Sequence, residues 1–513
     1  MIRSLNLALV LKAGMLGSTA LSHSQVSPPP PPAIYHPDQG DIVVKGGTRA
    51  FNRPLYGGNT GFRIEAGDLP EFALHLPKRG GNLRLGWVAA DKKSGFWFHQ
   101  SATRTSRYRA GSMVYELADP RLGTGGLRLN VLPAGTGEGL VVRMEIIKKI
   151  PSGRFVWTFG GNDGHPGRRN GDLNAENEPL AKFFRFTPER AAKCRYAPEP
   201  GGFTCSGPAG TLFGRLPDSA TPHIADARFW DDPAKLLASK PAPNAASVLV
   251  GTLELPASGP LDIAIIKSPK PPAGLLRDAY NAAQHHREEI AGRVKIETLD
   301  PWLNAASGAL NVAADAIWDS KSGRYMHGAI GWRVPLLGWR GPYAGDALGR
   351  PERTRQHIES YAAGQITSPP PATMPPPDEA FNLARSIQAL NTNGMFAGKN
   401  LSWYDMNTVA VDAMLRHLMW TGDRPTAERF WPVLERHLAW QRRLFRRPFP
   451  DEHSPLYEGY ACIWASDELI YSGGGATHAT AYQFGHQQMA ARLAQWLGKD
   501  PSPFRKEAEA IAR

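Results

Sequence analysis

Residues 261–294 begin Leu261-Asp-Ile-Ala-Ile-Ile266, cross a proline-rich break at Pro269, Pro271 and Pro272, and resume as Leu275-Leu-Arg-Asp-Ala-Tyr280 on the way to Val294. The first run sets Leu261, Ile263 and Ile265 on one face, the alternation of a half-buried strand. Past the break, Leu275, Leu276, Tyr280 and Ala283 fall on one side of a helix. The period of the apolar residues therefore changes from two to 3.6 near Pro271. That change divides the chain.

Working back from it, the same strand signal recurs in Asp41-Ile-Val-Val-Lys45, Leu83-Arg-Leu-Gly-Trp87, Leu127-Arg-Leu-Asn-Val131 and Leu140-Val-Val-Arg-Met-Glu-Ile146. Turn residues separate these runs at intervals of roughly ten, as in an antiparallel sandwich. Working forward, Pro301 suits a first helical turn. Helical periods then cover 302–317, 351–363, 403–421, 424–446, 475–497 and 501–513. The helix at Trp403 to Trp420 is apolar on most sides and is expected to be an inner one; the next has a single apolar stripe and is expected outside. Alternating inner and outer helices describe a toroid of helical hairpins. The pattern is still helical at Arg513, so about half of a six-hairpin toroid is expected in this sequence.

The expected fold class is thus α+β and multidomain, a β-sandwich followed by a partial (α/α) six-hairpin toroid. Residues 1–25 read as a signal peptide: Arg3, an apolar run from Leu5 to Leu11, then small residues near Thr19-Ala20-Leu21-Ser22. Residues 26–40 form a proline-rich spacer, 41–270 the sandwich, 271–300 a linker helix and 301–513 the helical domain. A periplasmic or extracellular location follows as the expectation. No later stretch carries the ~20 apolar residues of a membrane span.

Composition narrows the class further. The 513 residues are 42% hydrophobic and 21% charged, enough for large cores and unlike a disordered chain. The net charge of +12 permits a polyanionic partner. Its densest basic stretch, Arg416 to Arg447, carries Phe430, Val433, Leu434, Leu438 and Leu444 at helical spacing, which reads as a solvated helix face and not a nucleic-acid groove. Cys194 and Cys205 flank a Gly/Pro-rich turn and are open to two readings, a bond across a hairpin or two buried thiols. No Cys/His spacing reads as a metal site, and no cofactor motif is present.

Long segments between helices, 318–350, 364–402 and 447–474, are unusual in compact domains unless they build a site. Ten of the 14 tryptophans lie between Trp302 and Trp496, several in these loops. Aromatic faces beside carboxylates suit sugar rings. The first loop offers Trp339, Arg340 and Asp346 as substrate-binding candidates, with a structural Arg–Asp pair as the plainer reading. The second offers Trp403 and Asp405, the latter equally a helix-start carboxylate. The third, Tyr457 to His478, places Glu458, Trp464, Asp467, Glu468 and His478 among aromatics. A carboxyl group in apolar surroundings holds its proton and can act as a general acid, and glycosidic cleavage needs such an acid and a second carboxylate.

Asn52-Arg-Pro-Leu-Tyr-Gly-Gly-Asn-Thr-Gly-Phe-Arg63, Ala66-Gly-Asp-Leu-Pro-Glu-Phe-Ala-Leu-His-Leu-Pro77, Gly80-Gly-Asn-Leu-Arg-Leu-Gly86, Trp339-Arg-Gly-Pro-Tyr-Ala-Gly-Asp346 and Ile463-Trp-Ala-Ser-Asp467 resemble a bacterial family named for an N-terminal domain of unknown function, 4450. The resemblance spans about residues 40–513 and implies a sandwich joined to a six-hairpin glycosidase toroid in a secreted chain. More distantly, the chain is similar to trehalases and related inverting glucosidases. Their Glu-Ser-Gly-Trp-Asp loop lies where Glu458 to Asp467 lie, which implies Asp467 as the acid and leaves Glu458 and Glu468 as alternatives. The same likeness implies a general base beyond the helices present here. The expected function is glycoside hydrolysis on a carbohydrate substrate, with a catalytically incomplete carbohydrate-binding remnant as the alternative, and action on acidic sugars a third.

Overall fold

A computed structural model describes residues 34–513 apart from 77–78, 136, 162–179, 242–244, 257, 268–275, 330–332, 339, 369–391, 397–403, 449–454 and 460–475. The signal peptide and most of the proline-rich spacer lie outside the described residues.

Two large sheets form before Ile266, and every pairing in them is antiparallel. The first has ten strands in the order His36–Asp38, Asp41–Lys45, Thr103–Arg109, Ser112–Ala118, Gly126–Pro133, Gly139–Lys148, Leu261–Ile266, Gly210–Arg215, Gly202–Gly207 and Arg195–Glu199. The second has eight. Its path runs His223–Asp226, Ser247–Glu254, Gly153–Gly161, Arg79–Ala89, Glu71–Leu76, Arg63–Ala66 and Arg53–Tyr56, with Gly95–Trp97 also paired to Arg79–Ala89.

Alternation explains why these sheets face one another. Leu127, Leu129 and Val131 share a core with Leu140, Val142 and Met144, with Leu261, Ile263 and Ile265, and with Phe155, Trp157 and Phe159 of the second sheet. The register puts like on like: Val131 opposite Val142, Val142 opposite Ile263, and Trp157 opposite Leu85. Across the layers, Trp157 stacks on Phe203 with ring centres 5.3 Å apart and planes 15° apart. Each such side chain removed from water stabilises the fold by roughly 1.5–3 kcal/mol.

Both outer faces are also covered. α1 (Leu180–Phe184) places Phe183 and Phe184 against Phe51 and Ala73. α2 (Pro233–Ala238) and Trp230 cover Val88, Trp97, Val156, Val248 and Val250 of the eight-stranded sheet. α3 (Leu276–Ala291) lies on the ten-stranded sheet, with Tyr280 and Ala283 over Leu132, Val141 and Ala264. The Arg143 guanidinium sits 3.7 Å from the Tyr280 ring centre and is held there by Asp262 at 2.7 Å. The expected linker helix is therefore part of the sandwich.

The second half is helical: α4 (Pro301–Ala316), α5 (Gly341–Ala347), α6 (Pro351–Ala362), α7 (Tyr404–Thr421), α8 (Arg424–Phe445), α9 (Thr477–Leu497) and α10 (Ser502–Ala512). Caps fix several of these limits. Asp300 accepts from the Trp302 N–H at 2.8 Å, Asp423 from Thr426 N–H at 3.1 Å, and Gly498 ends α9 at φ 75°. α7, α8 and α9 share a core built from Val411, Met414, Leu415, Leu434, Leu438 and Leu493.

The observed helices start and stop within about two residues of the expected spans. α5 is an addition. The sequence reads there as a Gly/Pro-rich loop, but Pro342 is in the first turn, where its missing N–H costs nothing.

The halves meet at Asp315 on α4. Its carboxylate accepts from Asn59 Nδ2 of the sandwich at 2.9 Å and from Arg353 of α6 at 2.8 Å, with Arg350 at 3.1 Å. Arg333 donates to the carbonyls of Ala316 at 2.8 Å and of Asn59 and Trp318 at 3.0 Å, and pairs with Asp319 at 3.5 Å. Arg333, a charge in the Gly/Pro-rich segment 318–350, thus ties that segment to the sandwich.

Candidate functional site

The starts of α7 and α9 lie beside two of the long loops. Gly338 packs so tightly on the first turn of α7 that a Cβ there would stand 2.4 Å from the Met406 carbonyl oxygen. Arg340 follows two residues later, at the start of α5, and both it and Asp405 act on the Tyr482 hydroxyl. Asp405 is fully buried, and its Oδ1 accepts from the Met406 N–H at 2.9 Å.

Glu458 is held from three sides. Its N–H donates to the Phe445 carbonyl at 2.9 Å, at the end of α8. The preceding residue, Tyr457, donates its N–H to Thr480 Oγ1 at 3.0 Å and accepts from Ala476 N–H at 2.9 Å, both near the start of α9. The Tyr457 hydroxyl donates to Glu507 of α10 at 2.8 Å, and Arg446 reaches the same carboxylate at 2.7 Å. Arg447 stands 3.5 Å from the Glu458 carboxylate. The His478 ring lies against Gly459, whose added Cβ would be 3.0 Å from His478 Cε1. Burial pushes the His478 imidazole below its usual range, so it is neutral near pH 7.

One turn further along α9, Tyr482 feels Asp412, Arg416, Asp405 and Arg340. Burial raises its hydroxyl, with Asp412 next in effect. Asp412 itself accepts from the Tyr343 hydroxyl at 2.6 Å and from Arg416 Nε at 2.7 Å, and His486 Nε2 lies 3.8 Å away. Burial, and then this carboxylate, push the Tyr343 hydroxyl far up. His486 is driven down to about 3 by burial, with Arg416 adding to it.

Gln483 and Gln487 are fully buried beside His486, and their amide groups make no hydrogen bond to any of the described residues. A polar seam of this kind is costly unless water or a ligand satisfies it. Chemically, the region offers carboxylates, a cation, amides and neutral imidazoles within a few helical turns.

Of the residues expected from sequence, Arg340, Asp405, Glu458 and His478 are at this end. Asp346 is not. It binds His417 Nδ1 at 2.9 Å. His417 is twelve residues along α7 from Asp405, about 18 Å at 1.5 Å per residue. Trp339, Trp403, Trp464, Asp467 and Glu468 lie outside the described residues, as does Cys462. Asp412, Arg416, Tyr343, Tyr482 and His486 escape the loop-centred reading. The only sequence signals for them are the i,i+4 pairs Asp412/Arg416 and Tyr482/His486 on otherwise apolar helices. Among the described residues, no group of three or more His, Cys, Asp or Glu converges as a metal centre. None of the described helices is long and apolar enough to cross a membrane.

Residues 76–284 match the family described as domain of unknown function (DUF4450). That span takes in most of the two sheets and more than half of α3. No curated protein matches the chain. Among solved structures, a bacterial glucoamylase complexed with acarbose is 9% identical over 91% of this chain and 67% of its own, with a TM-score of 0.47. A family GH92 inverting mannosidase from Bacteroides thetaiotaomicron is 12% identical over 91% and 62%, TM-score 0.37. A GH78 rhamnosidase from a Bacillus species is 11% identical over 94% and 56%, TM-score 0.31. The chain thus spans between 56% and 67% of the length of these proteins. None of the three is a trehalase.

Proposed function

We propose that this is a secreted, carbohydrate-active protein that takes a glycosidic substrate at the starts of α7 and α9 and hydrolyses it by carboxylate acid/base catalysis. The observation that carries the reading is two buried carboxylates, Asp405 in the first turn of α7 and Glu458 just after the strand that is hydrogen-bonded to the start of α9, with the His478 ring against Gly459 and with Asp405 and Arg340 both acting on Tyr482. Carboxylates and a guanidinium are the groups that bind vicinal hydroxyls, and paired carboxylates are what glycoside cleavage requires. In this reading Asp467 is the general acid, Glu458 the alternative for that role, and Arg340 and Asp405 hold the sugar.

The test is product release from a panel of oligosaccharides and polysaccharides by the whole protein, compared with Asp467→Asn. The expected outcome is loss of most turnover with sugar binding retained. Near-normal turnover of Asp467→Asn removes that residue from the acid's role. Sugar binding by the unaltered protein with no product from any substrate replaces the hydrolase reading with a carbohydrate-binding one.

A further inference from the structure

We infer that Cys194 and Cys205 form a disulfide that staples the outer strand of the ten-stranded sheet when the chain folds in an oxidising compartment. This stands apart from the proposed carbohydrate chemistry and uses none of its residues.

The geometry comes from the strands. Cys205 lies in Gly202–Gly207 directly opposite Tyr196 of the edge strand Arg195–Glu199. Cys194 is two residues before Tyr196 and so projects from the same face of the sheet, diagonal to Cys205. Both are buried within the shared core. Both sulfurs reach one point in space: a Cβ on Gly161 of the facing sheet would be 2.7 Å from Cys194 Sγ and 2.8 Å from Cys205 Sγ. The two side chains are in hydrogen-bond contact as thiols. The Gly161 N–H donates to the Tyr196 hydroxyl at 2.9 Å, which fixes the facing strand against the pair. Position 161 has no side chain, and the two sulfurs fill the space that one would occupy.

Bond formation needs an oxidant, here a small disulfide such as oxidised glutathione. One cysteine thiolate attacks the reagent's disulfide and expels a reagent thiolate; the second attacks the mixed disulfide and expels the other. The protein gives up two protons and two electrons, and the reagent's two sulfurs take them. Little backbone movement is needed, because the side chains already meet. The product closes a short loop around the hairpin and ties its edge strand to the next one.

The test uses the full chain refolded in oxidised glutathione, then unfolded without reductant and treated with a maleimide. The expected result is one reactive thiol out of three, a mass lower by two hydrogens, and a single linked pair of peptides containing Cys194 and Cys205. Reduction should expose all three thiols and lower the Tm by roughly 5–10 °C. The Cys462→Ser variant then shows no reactive thiol before reduction. Maleimide labelling of both Cys194 and Cys205 after refolding in the oxidant, or linkage of either one to Cys462, overturns the inference. If Cys462→Ser does not fold, peptide mapping of the unaltered chain decides the same question.

Discussion

Replacing Asp315 by alanine tests whether the two halves are held together by one buried charge. The carboxylate is 11% exposed, and the Arg350 and Arg353 side chains that face it are 15% and 16% exposed. Desolvation already lowers the Arg350 guanidinium, and Asp315 is the largest influence opposing that. Asp315→Ala leaves both cations without this counter-charge, while Asn59 Nδ2 keeps the carbonyl of position 315, at 2.8 Å, as its acceptor. Removing one partner of a buried pair costs about 3–5 kcal/mol, and the residual exposure of both arginines puts this case near 3 kcal/mol. For units of this size that is a fall of roughly 6–12 °C in Tm. Asn59→Gly, which suits the φ of 50° there, removes the two side-chain hydrogen bonds to Asp315 but no charge, and should cost about 1–2 kcal/mol. Urea unfolding followed by tryptophan fluorescence, with calorimetry in parallel, measures both variants. The expected signature for Asp315→Ala is a lower first midpoint and two resolved calorimetric transitions. A loss under 1 kcal/mol with a single unchanged transition refutes the argument that this contact couples the halves.

Two other outcomes follow from the same reasoning. His357, His437 and His486 are each pushed down to about 3 by burial, so the unfolded chain binds protons that the folded one refuses as pH drops below about 6.5. Stability should therefore fall as pH goes from about 6.5 toward 3, by roughly 1 kcal/mol per pH unit for each imidazole; a flat urea midpoint between pH 6.5 and 4.5 contradicts their burial as neutral groups. Gly338→Ala sets a methyl against the Met406 carbonyl and should shift the Arg340 loop off α7. Sugar affinity is then expected to fall about tenfold with the sandwich's near-ultraviolet dichroism unchanged, and unaltered affinity argues against a site at that helix start.

The strands are legible in the sequence because one face of each meets a core. Leu127, Leu129 and Val131, or Leu261, Ile263 and Ile265, can alternate only if the opposite face has a different neighbour. The helices are legible because Asp300, Pro301, Asp423 and Gly498 mark their limits chemically. Less legible is what covers the outer faces, since Trp230 and the one-turn α2 carry no period of their own. In the candidate site, residues read as loop charges divide: Asp405 is in the first turn of α7 and Glu458 follows the strand that meets the start of α9, while Asp346 spends its carboxylate on His417. The polar seam of Asp412, Gln483, His486 and Gln487 is hidden for a different reason. On helices buried on several sides, a polar residue has no periodic position from which to depart, and only its partners in space identify it.

The position of α3 also bears on where such a chain can be divided. A sandwich cut at Lys267 would leave Leu132, Val141 and Ala264 open to water and the Arg143 cation without its aromatic partner. A sandwich that keeps this patch covered therefore runs to the end of that helix, at Ala291. A cut after the helix, in the short stretch before Asp300, leaves that patch covered and instead breaks polar contacts, those of Asn311 with the Ala291 and Val294 carbonyls.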